Sequence, residues 1–338
     1  LESLAVKYRP KTFDDVVSQD SIKRILERQL ELNEFKNAYM FCGPSGCGKT
    51  TIARIFATRI NNGIGVPIEI DAASNNGVEN VKNIVSEANE RSIDSKYKIY
   101  IIDECHSLTN QAWQAFLKCI EEPPAYTIFM FATTDPQKVP ATILNRCMRF
   151  NIQKIPSQEI KKRLDFICKS EGYSNYSETI DAISKMCKNQ CRDAIAMLEK
   201  VAAYSENFNT ELSLKILGGI STKIYFSLMN SLIDGNQAKV LEIIDYLYSN
   251  GTELKLFVDL FFDFVLDVTK YILFNNISVT NIPDVYENDV KYSIKFDNNL
   301  SYYNYVLDKT LELKNMVKTD PNLKNTVEVA FLQICRLK

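Results

Sequence analysis

Histidine is nearly missing from this chain: His106 is the only one in 338 residues. A Ser-His-Asp hydrolase would depend on that one residue entirely, which argues against such chemistry. Zinc is disfavoured for the same reason, since a site would need mostly thiolates. The nine cysteines are scattered, and the pairs Cys42/Cys47 and Cys187/Cys191 lack CxxC spacing. Their odd number, with no signal-peptide core in Leu1 to Lys7, speaks against a disulfide framework. A soluble, cytoplasmic setting is the expectation. No apolar run reaches the roughly 18 residues of a membrane helix. The longest candidate, around Leu256 to Leu273, is interrupted by Asp259, Asp263, Asp267 and Lys270. An excess of positive charge is lacking as well, because 40 Lys+Arg against 42 Asp+Glu leave a net charge of −2. Bulk coating of DNA is thereby excluded; nucleic-acid contacts must come from a local patch or from several copies pooling a few each.

What is present is an ordinary folding composition, 46% hydrophobic and 24% charged, in a chain long enough for two or three domains. Proline divides it: eight of ten lie at or before Pro156. In that first part, apolar runs at Ala38–Cys42, Ile68–Ala72, Ile99–Asp103, Thr127–Thr134 and Met148–Ile152 read as strands buried on both faces. Helix-period segments lie between them, at Thr50–Ile60, Val78–Ala88 and Gln111–Ile120. The alternation predicts an α/β fold with a doubly wound parallel sheet.

The remainder reads helical. Three short helices are expected, over Ser157–Ser170, from near Ser177, and over Cys191–Tyr204. Longer ones follow at Leu212–Leu217, Ile224–Ile233, Ala238–Tyr248, Leu254–Phe274, Tyr303–Val317 and Thr326–Leu337, with Asn275–Asn299 read as a polar loop. Phe257, Phe261, Phe262 and Phe264 read as core packing. The resulting division is 1–152, 153–207 and 208–338.

The chemistry is concentrated in the first part. Gly43-Pro44-Ser45-Gly46-Cys47-Gly48-Lys49-Thr50 matches G-x4-G-K-[ST], with Thr51 next in line, between a predicted strand and a predicted helix. Such glycines let backbone N–H groups face phosphate oxygens at a helix N-terminus. Lys49 would reach the β- and γ-phosphates of ATP, and the Thr50 hydroxyl would join a Mg²⁺ shell. Ile99-Tyr100-Ile101-Ile102-Asp103-Glu104 delivers two carboxylates at a strand end, the edge where α/β sheets hold ligands. Asp103 would hold the metal through water, and Glu104 would orient or deprotonate the attacking water. His106 reads as a helix-start or packing residue. Thr134, at the next strand end, either faces the γ-phosphate or starts a turn with Asp135. Taken alone, Arg146 and Arg192 are single arginines that read as surface ion-pair residues.

In order along the chain stand Lys7-Tyr8-Arg9-Pro10-Lys11-Thr12-Phe13-Asp14-Asp15-Val16-Val17, the P-loop, Ile68-Glu69-Ile70-Asp71-Ala72-Ala73-Ser74, Ile102-Asp103-Glu104-Cys105-His106, Leu117-Lys118-Cys119-Ile120-Glu121-Glu122-Pro123-Pro124 and Ala132-Thr133-Thr134-Asp135-Pro136-Gln137-Lys138. This set resembles the gamma/tau subunit family of bacterial DNA polymerase III, the ATPase of the sliding-clamp loader. The resemblance is dense from Lys7 to Phe150, thinner through Glu199, and beyond that rests on helical pattern.

The resemblance implies an AAA+ P-loop domain with a five-stranded parallel sheet, a three-helix lid and an all-α collar that joins subunits. It puts Tyr8, Arg9 and Val17 on the adenine side, Thr134 at the sensor-1 position and Arg192 at the sensor-2 position. Arg146 falls at an arginine finger that reaches ATP in a neighbouring subunit. The implied cofactors are ATP and Mg²⁺. The implied partners are other loader subunits in a ring of five, the sliding clamp and primer–template DNA, with a single-stranded-DNA-binding protein as a further candidate and no membrane. Asn145 departs from the family's serine. The stretch Arg59 to Pro67, where the family carries a four-cysteine zinc module, has no cysteine, so no zinc is expected. The chain also stops near the collar, so a short form without the longer form's extension is expected. A cellular, phage or plasmid version fits, and 29 Lys against 11 Arg suggest an AT-rich genome. Two rival readings remain: an AAA+ motor of branch-migration type, and a structural loader subunit that does not hydrolyse ATP.

Overall fold

The computed structural model describes residues 2–92, 94–217, 222–282, 286–296, 300–318 and 322–335. The chain divides into two compact units, Leu1–Glu171 with Met186–Glu199, and Gly172–Lys185 with Lys200–Lys338.

The first unit is built on a wholly parallel sheet of β1 (Ala38–Cys42), β2 (Ile68–Asp71), β3 (Lys98–Asp103), β4 (Thr127–Thr133) and β5 (Met148–Asn151), in the order β2-β3-β4-β1-β5. All five expected strands are present, with ends shifted by no more than one residue. Burial on both faces holds only for the central three. β1 and β4 are buried at every residue, whereas Ile68, Glu69 and Asp71 of β2 are exposed, as are Arg149 and Asn151 of β5. Those two strands are the sheet edges, where flanking helices cover less of each face.

Aromatic side chains fill both faces of the sheet. On one side Trp113 and Phe116 of the helix Asn110–Glu121 lie over Phe131, with ring centroids 5.4 Å away in each case. On the other, Tyr39 meets Phe56 edge-on at 5.2 Å and Phe41 stacks on Phe150 at 5.5 Å. Such pairs contribute about 0.5–1.5 kcal/mol each beyond burial. The helix under Phe131 begins where the Thr109 hydroxyl accepts the Ala112 N–H at 3.2 Å. It stops at Glu121, just ahead of Pro123-Pro124.

Three helices follow the sheet: Ser157–Glu171, Ser177–Met186 and Cys191–Ala202. The first, and all but the end of the third, belong to the first unit. The second unit continues with Thr210–Ile216, Thr222–Ile233, Gln237–Ser249, Leu254–Phe274, Glu287–Phe296, Leu300–Met316 and Leu323–Ile334. Its core is aromatic: Tyr225 stacks on Phe257 and Phe264, and Phe261 meets Phe331 at 5.2 Å.

Two expectations need correction here. Phe262 is outside this core: it lies one residue off the stripe of Phe257, Phe261, Phe264 and Val268, and carries the Lys314 ammonium 4.5 Å from its ring centre. Within the expected loop Asn275–Asn299, Glu287–Phe296 is a helix. Among its described side chains only Val290 and the small Ser293 are fully buried, too thin a stripe to stand out as periodic. Residues 297–299, and the end of the helix expected to reach Leu337, lie outside the described residues. No helix among the described residues is long and apolar enough to cross a membrane.

None of the nine cysteines is in a disulfide, and only Cys147 and Cys191 are not fully buried. Burial pushes the Cys147 thiol up to about 12 and that of Cys191 up to about 11. A thiol held so high stays protonated and unreactive at pH 8. Titration with a chromogenic disulfide reagent at pH 8 is therefore expected to find nine thiols in denaturant. In the folded protein it should find at most two, both slow.

Candidate nucleotide site

β1 ends at Cys42 and the chain must turn beside the end of β5. A Cβ on Gly43 would lie 2.3 Å from the Ile152 carbonyl oxygen, so only glycine passes there, with its N–H donating to Thr133 O at 3.1 Å. Gly48, with φ of 99°, then swings the chain into the helix Lys49–Ile60. The Gly46 carbonyl accepts the Cys191 N–H at 3.1 Å, which ties the loop to the start of the helix Cys191–Ala202.

The chemistry collects at the open end of this helix. Lys49 is buried, and its Nζ donates to Pro44 O at 2.9 Å. Burial pushes the Lys49 amine below its usual range, while Glu104 and Asp103 pull the other way. Thr50 Oγ1 donates to Asp103 Oδ2 at 2.6 Å, and the second Asp103 oxygen accepts the Glu104 N–H at 2.9 Å. Glu104 adopts a left-handed backbone, φ 46° and ψ 41°, uncommon outside glycine and asparagine. Its Oε2 accepts from Thr134 Oγ1 at 3.2 Å.

These groups face a cavity of about 270 Å³. Ser45, Gly46, Cys47, Gly48, Lys49, Thr50, Thr51, Asp103 and Glu104 line it, and Tyr8, Arg9, Val17 and Arg192 line it as well. Thr134 stands behind Glu104 rather than on the wall. Gly43 and Pro44 form the root of the loop. Arg146 is elsewhere: its guanidinium pairs with Glu121 at 2.6 Å and donates to Thr142 O at 2.8 Å, half exposed.

Arg163, Arg54 and Glu69 also line the cavity, none of them singled out in the sequence as a site residue. Arg163 donates to the Tyr8 carbonyl at 2.6 Å, while Glu171 receives both the Tyr8 hydroxyl and the Lys7 ammonium. The helix Ser157–Glu171 thus fixes the N-terminal segment on the cavity rim. On an amphipathic helix beside Lys161, Lys162 and Asp165, Arg163 carries no signal that separates it from a solvated face. Arg54 forms a two-point pair with Glu69 across from the loop. Burial and the neighbouring Arg54 push the Arg9 guanidinium below its usual range, yet an arginine stays charged. Five cations (Arg9, Lys49, Arg54, Arg163, Arg192) therefore face three carboxylates (Glu69, Asp103, Glu104) in one cavity. That imbalance, with a helix N-terminus and a glycine cradle, suits a polyphosphate.

Comparison with known proteins places the chain. A family model described as DNA polymerase III, delta subunit, matches residues 66–156, from the start of β2 to just past β5. The gamma subunit of DNA polymerase III from Buchnera aphidicola subsp. Schizaphis graminum is 30% identical over 98% of this chain and 97% of its own length. The chain belongs to the DNA polymerase III gamma/tau family. The tau subunit of Bacillus subtilis is 37% identical over 76% of this chain and 50% of its own. This gamma/tau chain thus spans about half the length of the Bacillus relative. Among solved structures, the Thermotoga maritima RuvB Holliday junction branch migration motor superposes with a TM-score of 0.53 at 20% identity, over 65% of this chain and 78% of the motor. That likeness shows a shared α/β fold followed by helices, and fold alone.

Trp113, the only tryptophan, is buried in the sheet core of the first unit and reports on its unfolding. Gly43→Ala is expected to destabilise that unit by about 2 kcal/mol or more, because the Ile152 carbonyl must move. Denaturant titration followed by Trp113 fluorescence checks this; an unshifted midpoint would mean that the loop root tolerates a side chain.

Proposed function

We propose that this chain is the ATPase subunit of a sliding-clamp loader. The observation that carries the reading is the convergence of Lys49, Thr50, Asp103 and Glu104 on one cavity, with Thr50 already bonded to Asp103. Lys49 and the loop N–H groups bind the phosphates of ATP. Mg²⁺ would be held by Thr50 and Asp103, the latter through water, and would supply charge neutralisation on the phosphates. Glu104 takes the role of base toward the attacking water, and Thr134 holds it in place. Tyr8, Arg9 and Val17 cover the adenine side; Arg192 reaches the phosphates from the helix Cys191–Ala202.

Arg146 acts on the ATP of a neighbouring subunit. Its pair with Glu121 is half exposed and so worth about 1 kcal/mol or less, easily given up to a phosphate. An arginine supplied across an interface is worth about 10³–10⁵ in rate, which makes hydrolysis depend on assembly. The assembly is a ring of five loader subunits joined by a helical collar, 208–338, with an ATPase domain at 1–152 and a lid at 153–207. ATP binding sets a spiral that opens the clamp and grips primer–template DNA, and hydrolysis releases both. The near-neutral net charge suits a machine in which each subunit gives the DNA backbone only a few contacts.

Steady-state ATP hydrolysis, measured with and without clamp and primed DNA, tests this. Stimulation should require both. Stimulation by DNA alone would support a translocating motor instead, and ATP binding without turnover in the complete mixture a structural subunit. Lys49→Ala should weaken ATP binding at least about 10-fold. Glu104→Gln should keep binding and lose about 10²–10⁴ in rate. Arg146→Ala should bind ATP normally yet lose about 10³ in the assembled loader.

A further inference from the structure

We propose that His106 is a positioning residue for Glu104, an inference that rests on the ATPase reading above. Glu104 and His106 sit on one tight turn. The left-handed backbone at Glu104 leads into the 3-10 turn Cys105–Ser107, closed by the Ser107 N–H on the Glu104 carbonyl at 2.9 Å. Cys105, fully buried, anchors that turn. The geometry brings His106 Nδ1 to 3.3 Å from Glu104 Oε2 and 3.3 Å from Thr133 Oγ1.

His106 Nδ1 stands at ion-pair distance from the carboxylate, and its hydrogen bond is with Thr133 Oγ1. Thr133 Oγ1 also accepts the Asp135 N–H at 3.0 Å, which fixes the hydroxyl that holds the imidazole. Thr134 Oγ1 donates to Glu104 Oε2 at 3.2 Å. The Thr134 hydroxyl and the His106 imidazole therefore both stand against a single carboxylate oxygen. Among the described residues none hydrogen-bonds the other, Oε1, and Glu104 lines the cavity beside Lys49. Holding Oε2 from behind leaves Oε1 as the oxygen presented to water. His106 thus acts through Glu104, fixing the rotamer of the base rather than touching ATP.

The test uses the loader assembled with its partner subunits, clamp and primed DNA. His106→Ala is expected to lower kcat about 10-fold or more, with KM for ATP within about 2-fold of wild type. In His106→Asn the side-chain amide nitrogen takes the place of Nδ1 and should restore most of the rate. His106→Gln, whose amide reaches the Nε2 place instead, should not. In a Glu104→Gln background His106→Ala should add no further loss, because its effect passes through the same carboxylate. Trp113 fluorescence reports whether each variant folds; if His106→Ala does not, the Asn and Gln variants decide alone. Wild-type turnover in His106→Ala, equal loss in the Asn and Gln variants, or full additivity with Glu104→Gln would each overturn the inference while leaving the ATPase reading intact. Absence of hydrolysis by the wild-type assembly would remove that reading and this inference with it.

Discussion

Parallel pairing in one register sets where all the polar groups of the first unit can go. Cys42 of β1 lies opposite Thr133 of β4, and Phe131 of β4 lies opposite Ile102 of β3. Parallel strands need a crossover each, and the crossovers return the chain to the same edge every time. The glycine loop, the Asp103-Glu104 pair and Thr134 therefore leave the sheet side by side. A slip of one residue would turn Tyr39, Phe41, Phe129 and Phe131 to the wrong faces, so the aromatic packing on both sides holds the register. The site is precise because the core beneath it is.

Electrostatics then explains the resting contacts. Lys49 is buried with a single carbonyl as its hydrogen-bond partner, an arrangement that costs free energy for a group with three donors. Asp103 is better served, accepting from Thr50 and from the Glu104 backbone. A polyanion entering the cavity would give Lys49, Arg163 and Arg192 a partner of opposite charge, whereas the Arg54–Glu69 pair is already neutralised. The cavity is thus poised toward phosphate by what its cations lack. Arg146 differs in kind: it is satisfied where it stands, and only weakly.

The second unit follows a simpler rule. Phe257, Phe261, Phe264 and Val268 recur at helical spacing along one helix, and the helices Thr222–Ile233 and Leu323–Ile334 close over that stripe. Ten aromatic rings interleave with aliphatic side chains in this core, so the unit is held by packing, with few buried polar networks. Asp267 is one exception: buried, it accepts from Lys270 at 2.7 Å and from the Asn281 backbone at 3.0 Å. That pairing pins the segment that follows the long helix.

The sequence by itself determined the strands, most helices, the glycine loop and the Asp-Glu pair, because each is encoded by neighbours: a run of apolar residues, a helical period, a fixed spacing. The exposure of β2, the helix Glu287–Phe296 and the displacement of Phe262 from the core were not readable this way. Each depends on what another element covers, which no local pattern contains. The same holds for the site. Arg163 joins it only because the helix Ser157–Glu171 folds back over Tyr8, a contact across 155 positions. Arg54 and Glu69 meet only when β2 lies beside the loop helix. His106 looked like a packing residue because its partners, Thr133 and the Glu104 carboxylate, are brought to it by strand register and by a left-handed turn. Local sequence carries the chemistry of the groups; long-range packing decides which of them share a cavity.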